Sequence, residues 1–128
     1  MIRLYILWVC SQFLHELGHC FLLRIGKVNL CKLVIGNFFF IKFSKIWVSP
    51  LVLTSYTEFE DETFSMKNKL FRVLVFLGGP IVNLLLFLSL PDTLFDFKMI
   101  NLFMLIFSLL PLGSKSDGFL AVRELFKK

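Results

Sequence analysis

Residues 4–23 are apolar for long enough to cross the hydrocarbon core of a bilayer, and residues 70–90 and 94–112 repeat the pattern. That recurrence sets the solvent. A chain of 128 residues buries too little of its surface in water to hide a composition that is 57% apolar and holds seventeen phenylalanines. The same composition excludes disorder and collagen, and three cysteines without a CxxC give neither a disulfide framework nor a thiolate metal cluster. The first stretch lacks a small-x-small cleavage site and runs on through charged residues into more apolar sequence, so it reads as a span rather than a signal peptide. The expected fold is a mainly α membrane protein, one domain over residues 1–128. It has three transmembrane helices, at 4–23, 70–90 and 94–112, and a C-terminal amphipathic helix at 119–127.

Between the first two spans, residues 28–56 are rich in Val, Ile, Phe and Thr, with breaks at Gly36-Asn37 and Ser49-Pro50. They predict a short membrane-associated β segment, with a hairpin around Gly36-Asn37 and a third strand after it. The acidic run Glu58, Glu60, Asp61, Glu62 and the basic Lys67, Lys69 and Arg72 read as a solvated linker.

Net charge is +5, but the basic residues are scattered between apolar stretches rather than striped along one face, which argues against nucleic acid. They flank spans instead. Eight Lys or Arg fall between Arg24 and Arg72 and four after Leu112, against one between Pro91 and Lys98. The positive-inside rule then sets the long loop and C-terminus in the cytoplasm and the N-terminus outside a multi-pass cell-membrane protein. Abundant Phe, Ile, Lys and Asn with a single alanine, Ala121, fits an AT-rich bacterial coding sequence.

The chemistry sits in the first span. His15-Glu16-Leu17-Gly18-His19 is an HExxH motif holding the only two histidines of the chain. At i and i+4 on a helix both imidazoles reach one metal ion, and Glu16, on the same side, can take a proton from water at that ion. Ser11, Gln12, His15, Glu16 and His19 form one polar stripe on an otherwise apolar helix. A stripe that merely hydrogen-bonds helices together is the plain alternative, but ionisable residues inside a span are costly and by default functional.

A catalytic zinc takes three protein ligands. With no third histidine, the last is a carboxylate or a thiolate. Asp92 and Asp96 belong to the opposite membrane face, and residues 58–62 and Glu124 lie outside any span. Cys20 points about 100° away from its neighbour His19. Asp117, just after the third span, has the right depth, although an Asp-Gly turn at a helix end would look the same.

HELGH on a first span, Gly79-Pro80-Ile81-Val82-Asn83 on a second, and Leu109-Leu110-Pro111 leading to Asp117-Gly118 after a third resemble the site-2 proteases, the intramembrane zinc metalloproteases. The strand-like stretch at 28–56 also resembles that family's membrane-associated β segment. The resemblance implies Zn2+ bound by His15, His19 and Asp117, with Glu16 as catalytic base and Asn83 near the substrate. It implies hydrolysis of a peptide bond within or beside a membrane-embedded protein or peptide substrate. An extended substrate could pair with the strand segment around 38–48. The third motif departs from the family pattern. Ser108 stands where Asn is usual, Ser116 where Leu precedes the Asp, and one extra residue separates Pro111 from Asp117. A degenerate member acting as a non-enzymatic membrane interaction or immunity protein is the alternative these departures favour.

Overall fold

The computed structural model describes residues 1–128. Helix α1, Ile2–Ile25, is followed by four strands, β1 Leu30–Ile35, β2 Ile41–Phe43, β3 Ile46–Val48 and β4 Ser55–Phe59. Then come a short helix α2, Asp61–Ser65, the long α3, Lys69–Ser89, a 3-10 turn at Asp92–Leu94, α4, Phe95–Leu109, and α5, Asp117–Phe126. The fold is mainly helical with one small sheet.

In a helix from a water-soluble protein the apolar face turns inward. In α1 the order is reversed. Ser11, Gln12, His15, Glu16 and His19 are buried, whereas Leu4, Ile6, Phe21 and Ile25 are exposed. Exposed Leu85 and Leu88 on α3 and Phe103 and Phe107 on α4 continue the apolar exterior. α1 and α3 are both long and apolar enough to cross a membrane.

The third predicted span is shorter than expected. α4 has 15 residues, roughly 22 Å at 1.5 Å per residue, against a hydrocarbon core of about 30 Å. Its end is cut by Pro111, which drives Leu110 into the extended region (ψ 130°). Its start is delayed by the 3-10 turn.

α1 and α3 meet where neither has a side chain. A Cβ on Gly18 would run into the Gly78 carbonyl, and one on Gly78 would meet the backbone of Gly18. Small residues facing each other let helices close to backbone contact in a membrane. α3 continues as a helix through Pro80. Gly18→Val should therefore push the helices apart and destabilise the fold by roughly 1–3 kcal/mol. The denaturant midpoint in micelles measures this, and an unchanged midpoint would contradict the close crossing.

The sheet has strand order β2-β3-β1-β4. β1 pairs parallel with β3 and antiparallel with β4, with Ile35 opposite Val48 on one side and Ser55 on the other. The hairpin is β2–β3, turning at Ser44, where φ is +54°, so it is not at Gly36-Asn37. Gly36, φ +107°, instead swings the chain out of β1. The Asn37 side chain is then occupied by the return segment, its Oδ1 accepting from Leu53 N (2.9 Å) and Thr54 N (3.1 Å). Leu33, Ile35 and Val52 pack on Trp8, Val9, Phe13 and Cys20, and Trp8 Nε1 donates to Val52 O at 3.0 Å. The sheet thus lies along α1.

The charged stretch is solvated, with Glu58, Asp61, Glu62 and Lys69 exposed, but it is not an unstructured linker. It runs from β4 through α2 into α3, and Phe64 of α2 enters a core with Leu23, Val28, Val73, Val75, Phe76 and Ala121. Glu58 pairs with Lys32 at 3.4 Å, and Arg72 donates to Glu124 at 2.8 Å. α5 begins at Asp117, two residues earlier than the sequence suggested, because Ser116 caps it by accepting from Phe119 N (3.3 Å). The turn at Gly113–Ser116, closed by Ser116 N donating to Gly113 O at 3.2 Å, takes up the extra residue after Pro111.

Candidate metal centre

Because α1 is regular from Ile2 to Ile25, His15 and His19 fall one turn apart on its inner face, with ring centroids 5.0 Å apart and Nε2 atoms 3.3 Å apart. Asp117 reaches them from the first turn of α5. Its Oδ2 lies 3.0 Å from His15 Nε2 and its Oδ1 lies 3.4 Å from His19 Nε2. These three residues present ligand atoms within 4.8 Å of one another.

The placement of Asp117 has two local causes. Ser116 starts the helix there, and Gly118 lets the chain pass the end of α4, since a Cβ on Gly118 would overlap the Leu109 carbonyl. Burial raises the Asp117 carboxyl pKa, but hydrogen bonds from His15 and His19 outweigh burial and hold it down to about 2. The group is an anion ready to coordinate.

Both imidazoles are held from behind. His19 Nδ1 is 2.7 Å from the Val75 carbonyl, and His15 Nδ1 is in hydrogen-bond contact with Asn83 Oδ1. A ring whose Nδ1–H donates to an oxygen leaves Nε2 unprotonated for a metal, the arrangement usual in zinc proteins. Two nitrogens and one carboxylate, with both far ring nitrogens engaged, fit the donor chemistry of a catalytic zinc. Gly79 makes room for this set, because a Cβ there would overlap the His15 ring.

Glu16 is 3% exposed. Ser55 Oγ donates to its Oε1 at 2.7 Å and Thr57 Oγ1 to its Oε2 at 2.6 Å, while Ser55 Oγ also lies 2.5 Å from Gln12 Oε1. The carboxylate is therefore gripped on both oxygens by β4. Sequence reading missed Ser55 and Thr57. The signal for them is the strand period, which sets 55 and 57 on one face with two hydroxyls.

The other acidic candidates are held by cations. Asp96 pairs with Arg3 and Asp92 with Lys98, both at the far end of the bundle, and Glu124 is engaged by Arg72. Cys20 Sγ faces Thr57 Oγ1 at 3.9 Å. Asn83, expected near substrate, is fully buried between His15 and Asn101. A cavity of about 770 Å³ opens on the site, lined among others by Trp8, Glu16, Phe103, Met104, Phe107 and Asp117.

Residues 4–91 match the profile of Peptidase family M50. The chain belongs to this family, the site-2 proteases. The matched stretch contains His15, Glu16, His19 and Asn83 and stops before Asp117, so Asp117 is a candidate third ligand on the convergence just described alone. No curated protein matches the chain. Members of family M50 are membrane-associated zinc metallopeptidases, in keeping with the donor set and with the two helices able to cross a membrane.

Proposed function

We propose that this M50 peptidase is an intramembrane zinc endopeptidase that hydrolyses a peptide bond within or next to a membrane-embedded segment of a protein or peptide precursor. The observation that carries this reading is the meeting of His15, His19 and Asp117 beside Glu16 at a single cavity. Zinc held by those three residues would supply a Lewis acid that polarises the scissile carbonyl and makes water acidic enough to lose a proton near neutral pH.

The chain's own residues do the rest. Glu16 accepts the proton from the attacking water and passes it to the leaving amine. Ser55 and Thr57 hold the carboxylate in one orientation through both steps. A substrate helix must first unwind, since its peptide bonds are shielded and already hydrogen-bonded. β4 is one of the two edge strands of the sheet, the other being β2, and Leu53, Thr54, Ser55, Tyr56 and Thr57 line the cavity, as no residue of 38–48 does. Pairing along β4, rather than along the segment at 38–48, would lay an extended substrate beside Glu16. A hydrogen bond to a charged group contributes about 1.5–3 kcal/mol, so Thr57→Val should lower kcat roughly 10- to 100-fold with zinc content unchanged. Unchanged kcat in the purified variant would remove β4 from the catalytic arrangement.

In this reading α4 completes a three-span bundle, its short length met by local thinning of the bilayer. The long loop and C-terminus are cytoplasmic and the N-terminus is outside. A reporter fused after Lys128 should therefore report cytoplasm, and one inserted at Asp92 should report the exterior. The opposite pattern would reverse the topology.

The function itself is tested by comparing membrane proteins in cells making the chain with cells making Glu16→Gln. An uncut membrane protein or peptide should accumulate in the variant, and the purified chain should cleave it, stop on chelation and resume when zinc is returned. A second reading, a non-enzymatic interaction or immunity protein, is favoured by Ser108, whose hydroxyl bonds back to Leu105 O of its own helix (3.1 Å). That reading requires substoichiometric zinc in the purified chain.

A further inference from the structure

An amide buried in an apolar helix is expensive unless its donors and acceptor are used. α4 buries only Asn101 and Met104. Asn101 is fully buried, and so is Asn83 on α3. Their hydrogen bonds form a line with a fixed direction. Asn101 Nδ2 donates to the carbonyl of Phe97 at 2.8 Å. A backbone carbonyl can only accept, so the Asn101 amide cannot be reversed without losing that bond. Its Oδ1 must then face Asn83, whose Nδ2 donates to it at 2.8 Å. This sets the second amide in turn, leaving Asn83 Oδ1 against His15 Nδ1. An amide oxygen is an acceptor only, so Nδ1 must carry a hydrogen, and Nε2 is the ring nitrogen left to face Asp117 and His19.

We infer that Asn101 and Asn83 are positioning residues for the metal site, a directional amide relay that starts at the Phe97 carbonyl and fixes the tautomer and ring orientation of His15. The inference rests on the reading of His15 as a zinc ligand. It gives Asn101 a role that helix association alone would not require, since interhelical glue has no preferred direction. Through it α4, which contributes no ligand, controls one on α1. His19 needs no relay, because its Nδ1 meets the Val75 carbonyl directly.

With only two histidines in the chain, the test is 15N NMR of the histidine-labelled full chain in micelles, loaded with zinc. The wild type should show both rings carrying a hydrogen at Nδ1. A His15 without a hydrogen at Nδ1 in the wild type would overturn the relay without any variant. In Asn101→Leu the Asn83 amide is free to turn its nitrogen to His15, so the His15 Nδ1–H signal alone should shift or exchange away, with His19 as internal control. Zinc affinity should fall roughly 10- to 100-fold, the usual effect of losing the partner behind a ligand. Asn101→Ser, whose shorter side chain cannot span to Asn83, should behave alike and serves if the leucine variant does not fold. A variant with a lowered unfolding midpoint but an unchanged His15 Nδ1–H signal and zinc affinity would reduce Asn101 to helix packing and overturn the proposal. Stoichiometric zinc in His15→Ala would instead overturn the ligand reading beneath it.

Discussion

Glu16→Gln should lower peptide hydrolysis by roughly 10²- to 10⁴-fold or more while zinc stays bound. The substitution keeps the size of the side chain and an oxygen able to accept from Thr57, so α1 and β4 stay together. It removes the only feature the base requires, a lone pair that can take a proton from water and release it. Glu16 is not among the three residues whose donor atoms converge, so metal content should be that of the wild type. Zinc content and single-turnover cleavage, measured on one preparation, separate the two functions. Undiminished turnover would remove Glu16 from the role of base, and loss of zinc would make it a ligand.

Asp117→Ala should cost the metal itself. It takes away the one anionic donor and leaves two imidazoles, which are one protein ligand short of a catalytic zinc site. The control variants are Glu124→Ala and Asp96→Ala. Glu124 is the nearer rival, since it lines the same cavity, but Arg72 holds it at 2.8 Å. Asp96 is tied to Arg3 at the opposite end. Zinc per folded protein should collapse in Asp117→Ala alone. Full occupancy there, with loss in either of the others, would transfer the ligand role.

What could be read from the sequence, and what could not, follows from how local each feature is. HELGH is legible because a helix fixes the i to i+4 relation without any other element. Asp117, just past an apolar helix, is the carboxylate expected beside the histidines, and it lies within 3.4 Å of both. α4 ends short of the apolar stretch that predicts it, since apolar content continues past Pro111 while the helix cannot. Gly36-Asn37 reads as a hairpin, yet a Gly beside an Asn marks equally a place where the chain leaves a strand. Whether it reverses there depends on Leu53 and Thr54, which occupy the Asn37 side chain from far along the sequence. Ser55, Thr57 and Asn101 carry no local signature. Their partners lie on other elements, and only the packed structure states the pairing.

The site is divided along the chain, with His15, Glu16 and His19 near one end of the sequence and Asp117 about a hundred residues later on a separate helix. During synthesis α1 is made with two histidines and a glutamate already in register, about a hundred residues before Asp117. The carboxylate reaches them through the packing of α3 on Gly18 and the start of α5 at Ser116. If the site acts as proposed, a nascent chain has no complete donor set until its last helix has been made.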